Sequence, residues 1–212
     1  MEKTNISSLP DSVWLKILQY LTADQLITWT NLSEVERQTS PFFQQLFHVC
    51  GDKELWRHVI WRGGVVKPIV LRKLIKFLGS HTKRIFFEGS RSSTSKKVSK
   101  SHLLIPESLL HSIQIRCPKL EDIRFSRCCF DYHSHPLKKL PISTKHIELM
   151  NIHWLNLPNE AIRGLQSSPL FKLKKRLPKL EGVTFGVSKP NKSWVNRYDV
   201  ICLFEINGHP LT

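Results

Sequence analysis

The chain lacks what several large protein classes require. No apolar run approaches the roughly eighteen residues that a membrane helix needs. Glycine is sparse, nine in 212 residues. No Gly-rich phosphate loop, G-x-S-x-G or H-E-x-x-H occurs, so the common signatures of nucleotide, serine-nucleophile and zinc-protease sites are missing. The N-terminal stretch from Met1 to Pro10 is polar and has no apolar core for a signal peptide. The five cysteines, Cys50, Cys117, Cys128, Cys129 and Cys202, are odd in number and irregular in spacing. They read as free thiols in a reducing compartment. A cytoplasmic and/or nuclear protein with no membrane contact is expected.

Acidic residues are also scarce, 17 against 32 Lys and Arg, for a net charge of +15. The imbalance is uneven. Residues 1–56 hold four Lys/Arg and seven Asp/Glu, or −3, which leaves 28 against 10, or +18, for the remainder. Such asymmetry predicts two modules with different partners. Hydrophobic residues at 41% and charged ones at 23% predict a mainly globular chain.

The spacing of Val13, Ile17 and Leu21, and of Trp14 and Leu18, predicts a helix over Leu9–Leu21 with one wide apolar face. Pro10 suits its first turn. Thr22 is positioned to cap a second helix from Ala23 to about Thr30. A third helix is expected from about Glu34 to Val49, with Pro41 breaking or kinking it. Helices are also predicted over Pro68–Leu78 and Pro106–Arg116. The stretch Gly89–Ser101 is dominated by Ser, Lys and Arg and is predicted to be a flexible insertion.

Four segments share one short pattern: Thr82-Lys-Arg-Ile85-Phe-Phe87, Leu120-Glu-Asp-Ile123-Arg-Phe125, Thr144-Lys-His-Ile147-Glu-Leu149 and Leu180-Glu-Gly-Val183-Thr-Phe185. Each places two apolar residues two apart, as the inward positions of a short strand require. The second continues to Cys128 as L-x-x-I-x-F-x-x-C, the leucine-rich-repeat core pattern. The strand-to-strand spacings are 38, 24 and 36 residues, looser than the roughly 20–29 of regular arrays. The segment Trp154–Leu177 has room for a further repeat, and Asp199–Thr212 holds a strand-like apolar run.

Leu9-Pro10-Asp11-x-Val13-x-Leu15-x-Ile17-Leu18-x-Tyr20-Leu21, continued by Asp24-Gln25-Leu26 and by Leu55-Trp56-Arg57, resembles an F-box over about Leu9 to Val59. The stretch Leu32-Ser33-Glu34-Val35-Glu36 departs from that family, which usually carries Val-Cys-x-x-Trp there. The resemblance implies an α+β to α/β fold, with an N-terminal three-helix F-box over 1–60 followed by a short, irregular leucine-rich-repeat solenoid over 61–212. It implies a non-catalytic substrate receptor of an SCF-type ubiquitin ligase. Its adaptor-binding residues would be Leu9, Pro10, Val13, Ile17, Leu18, Leu21, Leu26, Leu55 and Trp56, and its partners a Skp-type adaptor and, through it, a cullin. The target-binding positions would lie on the outward strand face: Arg84, Phe86, Arg124, His146, Glu148 and Met150. The alternative is a basic, nucleic-acid-associated repeat protein without ligase contact.

Cys128-Cys129 with His133 and His135 has zinc-ligand residue types, but the spacing matches no common finger, and as an inward turn residue Cys128 is already explained. No metal, cofactor or catalytic residue is expected. The basic body, with Lys96, Lys97, Lys100, Lys172, Lys174, Lys175, Arg176 and Lys179, has three readings: phosphate contacts to nucleic acid, contacts to an acidic or phosphorylated protein, or a solvated surface. No aromatic residue lies within the Lys96–Lys100 or Lys172–Lys179 runs to stack bases.

Overall fold

The computed structural model describes residues 9–36, 38, 40–63, 68–89, 102–131, 133, 136–155, 173, 175–186 and 203–205. Three helices come first: α1 (Asp11–Leu18), α2 (Ala23–Glu36) and α3 (Pro41–Cys50). Pro10 precedes α1, and its carbonyl accepts from the N–H groups of Val13 and Trp14. At the start of α2 the expected Thr22 cap is replaced by Gln25, whose Oε1 accepts from both the Thr22 N–H (2.9 Å) and its hydroxyl (3.0 Å). This is the glutamine half of a capping box.

The expected third helix, Glu34–Val49, is corrected. Glu34 to Glu36 finish α2, and a new helix starts at Pro41. Proline does not kink a helix here but begins one, because at the first position its missing N–H would have had no partner. Ser40 precedes it in extended conformation and accepts from the Phe42 N–H at 3.2 Å, capping α3.

The chain then alternates strands and helices: β1 (His58–Arg62), α4 (Pro68–Phe77), β2 (Arg84–Glu88), β3 (Leu103–Leu104), α5 (Glu107–Arg116), β4 (Asp122–Ser126), β5 (Cys128–Asp131), a 3-10 turn (Pro136–Lys139), β6 (His146–Met150), β7 (His153–Leu155), β8 (Gly182–Gly186) and β9 (Leu203–Glu205). The fold is thus mixed helices and parallel strands. β1, β2, β4, β6 and β8 form one parallel sheet in that order, with β9 antiparallel at its end. β3, β5 and β7 form a second, shorter parallel sheet.

The register follows from the period-two pattern. Val59, Ile85, Ile123, Ile147 and Val183 align in one buried row. Trp61, Phe87, Phe125 and Leu149 align in the next, also buried. Phe87 stacks on Phe125 at 5.6 Å, and Phe125 meets Phe130 of β5 edge-on at 4.9 Å, so the rings tie one sheet to the other. A one-residue slip would bury the charged neighbours instead.

β1 carries the pattern too. Trp56-x-x-Val59-x-Trp61 has the spacing of the four expected units, with Trp56 buried where Thr82, Leu120, Thr144 and Leu180 are buried. Position 60, the expected end of the first module, therefore falls inside a strand. Among the described residues a single buried cluster takes members from Leu18 to Val183. Trp56 stacks on Phe77 of α4 at 4.3 Å. Of the expected insertion 89–101, residues 90–101 lie outside the described residues; Gly89 is buried, its N–H donating to the Ser126 carbonyl.

Candidate functional site

The N-terminal helices leave apolar side chains on their outer faces. α1 buries Leu18 and half-buries Trp14 and Leu15, while Val13 and Ile17 (44% exposed) face outward. α2 is apolar on both sides. Ala23, Leu26, Ile27 and Thr30 are buried, whereas Trp29, Leu32 and Val35 recur every three residues on the opposite face, exposed by 40%, 45% and 75%. Burial already satisfies the inner face, so the outer stripe is surplus to folding.

The expected adaptor-binding residues divide accordingly. Pro10, Val13 and Ile17 are exposed, and Leu9 and Leu21 are half-buried. Leu18, Leu26, Leu55 and Trp56 are buried in the core. This corrects the expectation that Leu18 forms part of the surface: it closes α1 against the cluster, and the Trp56 indole also donates to the Cys50 carbonyl at 2.8 Å. Trp29, Leu32 and Val35 were not anticipated. Their three-residue spacing is visible in the sequence, but it competes with the equally regular buried stripe.

The outward face of the larger sheet is a ladder of charges. The register aligns His58, Arg84, Asp122 and His146 in one row and Ile60, Phe86, Arg124, Glu148 and Thr184 in the next. Arg84 pairs with Asp122 at 2.8 Å, and Asp122 also meets His146 Nδ1 at 2.7 Å. Arg124 pairs with Glu148 at 2.9 Å. Glu88 receives Arg62 at 3.2 Å and also pairs with Arg127. Nearby, Lys83 donates to Glu121 at 2.7 Å, and that hydrogen bond holds the Glu121 carboxyl below its usual range. The His58 imidazole is pushed down first by burial and then by the Arg84 and Arg57 cations.

All six expected target-binding positions therefore lie on this face: Arg84, Arg124 and His146 exposed, Phe86, Glu148 and Met150 partly so. Most of them line a groove of roughly 620 Å³. Its cations are answered by acids strand by strand, and Ile60 and Phe86 sit side by side between them.

The described thiols are held protonated. Burial pushes Cys50 and Cys117 up to about 11 and raises Cys128 further. Cys128 opens β5, its Sγ lying 3.4 Å from the Ser126 carbonyl and 3.5 Å from that of Phe87. Arg127, just before it, turns the chain with φ 50°. His135 of the Cys-His set lies outside the described residues. Among the described residues no group of three or more His, Cys, Asp or Glu is placed to hold a metal ion, and no helix is long and apolar enough to cross a membrane.

The described residues thus form a protein of mixed helices and parallel strands with exposed apolar side chains on α1 and α2 and a self-paired charged strand face. No protein-family model and no curated protein matches the chain.

Proposed function

We propose that the chain is the substrate-recognition subunit of an SCF-type ubiquitin ligase, a non-catalytic receptor that docks a Skp-type adaptor through its N-terminal helices and a protein target through the strand face. The observation that carries this reading is the exposed apolar side chains on the outer sides of α1 and of α2. Val13, Ile17, Trp29, Leu32 and Val35 are exposed although the opposite sides of their helices already bury Leu18, Leu26 and Ile27. Such a face needs a partner, and helix packing around a few apolar anchors is the expected mode. The Leu-Pro opening and the spacing of Val13 and Ile17 are those of the F-box resemblance. For the rest of the chain, five parallel strands in register, with α4 and α5 in the connections, are what a short, irregular leucine-rich-repeat array would need. On the strand face the internal pairing of charges favours a target of mixed charge with an apolar contact at Ile60 and Phe86 over a polyanion.

The test is co-purification with a Skp-type adaptor at high salt, using the full chain and a Val13→Asp, Ile17→Asp variant. Both positions are exposed, so the variant is expected to fold. Apolar docking survives salt, whereas phosphate contacts to nucleic acid weaken steeply. Retention of the native chain, and a loss of roughly 2–4 kcal/mol in the variant, the scale of central hot spots, is the expected result. Full-strength binding by the folded variant overturns the assignment.

A further inference from the structure

A second pocket, of roughly 450 Å³, lies where the start of α2 meets the end of β1, with Asp24, Gln25, Trp29, Trp61, Arg62 and Gly63 among its lining residues. It is separate from the groove on the strand face. Three features of it are left unanswered by the rest of the molecule.

The first is an orphan donor. Trp61 is only 4% exposed, and its indole Nε1–H has no hydrogen-bond partner. A buried N–H without an acceptor is costly, so an occupant that supplies one gains what the fold forgoes. A Cβ at position 63 would stand 3.8 Å from that nitrogen, and position 63 is glycine. Position 63 puts no side chain beside that nitrogen, which the other surrounding residues close off from solvent, so an acceptor reaches it by displacing them.

The second is an unanswered carboxylate. Among the described residues Asp24 forms no ion pair, and its only side-chain hydrogen bond is long, 3.5 Å from the Arg62 N–H. The cation in the lining, the Arg62 guanidinium, is engaged by Glu88 at 3.2 Å. The third is an exposed indole. Trp29 lies one turn beyond Gln25 on α2, and both line the pocket together with Asp24.

An aromatic face beside a carboxylate attracts a cation, and an orphan N–H attracts a carbonyl. One ligand brings both. The geometry points to this pocket as a binding site for an arginine side chain presented by a peptide, with the guanidinium against Trp29 and Asp24 and a peptide carbonyl accepting from Trp61 Nε1–H. Arginine suits the site better than lysine because its planar group both stacks on an indole and meets a carboxylate in two parallel hydrogen bonds. The composition of the N-terminal segment agrees. The chain is strongly basic overall, but residues 1–56, which supply Asp24, carry seven acids against four bases. The site shares Trp29 with the outer side of α2 but rests on Asp24 and Trp61 as well, so its failure leaves the ligase reading standing on Val13, Ile17, Leu32 and Val35.

The test is a titration of the nitrogen-labelled full chain with acetyl-arginine methylamide, followed by nuclear magnetic resonance, with the lysine and norleucine analogues as matched probes. The Trp61 indole resonance is assigned by its loss in Trp61→Phe. The arginine probe is expected to move that resonance saturably, and the norleucine probe to bind about tenfold more weakly. Asp24→Asn, which keeps the side-chain shape, is expected to remove about tenfold from arginine binding and nothing from norleucine binding. The other indole resonances report whether each variant is folded. A Trp61 resonance that does not move, equal binding of the three probes, or an arginine affinity unchanged in folded Asp24→Asn overturns the proposal.

Discussion

Adjacent residues on β4 have opposite fates. Phe125 is buried, stacked on Phe87 and edge-on to Phe130, so truncating it opens a cavity where both sheets meet. Phe125→Ala is expected to cost roughly 3–5 kcal/mol. Arg124, one residue earlier, is exposed, and its pair with Glu148 lies in solvent. Arg124→Ala is expected to cost no more than about half a kcal/mol, as exposed pairs do. Denaturant melts of the two variants check the register. A silent Phe125→Ala beside an unfolding Arg124→Ala contradicts it. This alternation was legible in the sequence because a strand's period is two and every unit kept both inward positions apolar. The orphan Trp61 N–H was not legible, since whether an indole finds an acceptor is decided by residues far away in the chain.

At the scale of elements, sequence and structure part where two readings of one residue compete. Pro41 forbids a helix interior but favours a helix start, and periodicity across Glu34–Val49 does not distinguish a kink from a boundary. Ser40 does, because it stands where a cap belongs. Its side chain accepts from the Phe42 N–H, and α3 carries Leu46, Val49 and Cys50 into the core. Ser40→Ala is therefore expected to cost about 1 kcal/mol, and Ser40→Asp to restore most of it. A thermal melt in which Ser40→Ala is silent removes the cap from the account. β1 went unread for a related reason. Leu55-Trp56-Arg57 resembles the close of a helical motif, yet Trp56, Val59 and Trp61 also have the spacing of the later strands. Leu55 and Trp56 are buried in the cluster that the helices and the sheet share, and the residues from His58 on form the first strand of the sheet.

That double use of one segment sets the behaviour of the whole molecule. An acidic N-terminal segment and a basic remainder predict two modules, but the charge asymmetry is a property of the surface and says nothing of where the core divides. The core does not divide at residue 60. Val59 and Trp61 align with Ile85 and Phe87 of β2, the Arg57 carbonyl accepts from the N–H groups of Lys83 and Arg84, and Trp56 stacks on Phe77 of α4. α2 packs on both β1 and α4. A fragment ending near residue 66 keeps α1 to α3 but strips β1 of its neighbour strand and Trp56 of its ring partner. It is expected to unfold at a clearly lower denaturant concentration than the full chain. In the full chain, tryptophan fluorescence, to which Trp56 and Trp61 at this junction contribute, and far-UV circular dichroism, which sees all elements, are expected to give one coincident transition. Two separated transitions, the earlier or later one confined to the helices, would show that residues 9–56 fold apart from the sheet. The single buried cluster with members from Leu18 to Val183 argues for one. A joint without independent motion would also hold the outer face of α2 at a fixed angle to the strand face, so that whatever docks on the helices is positioned relative to whatever docks on the strands.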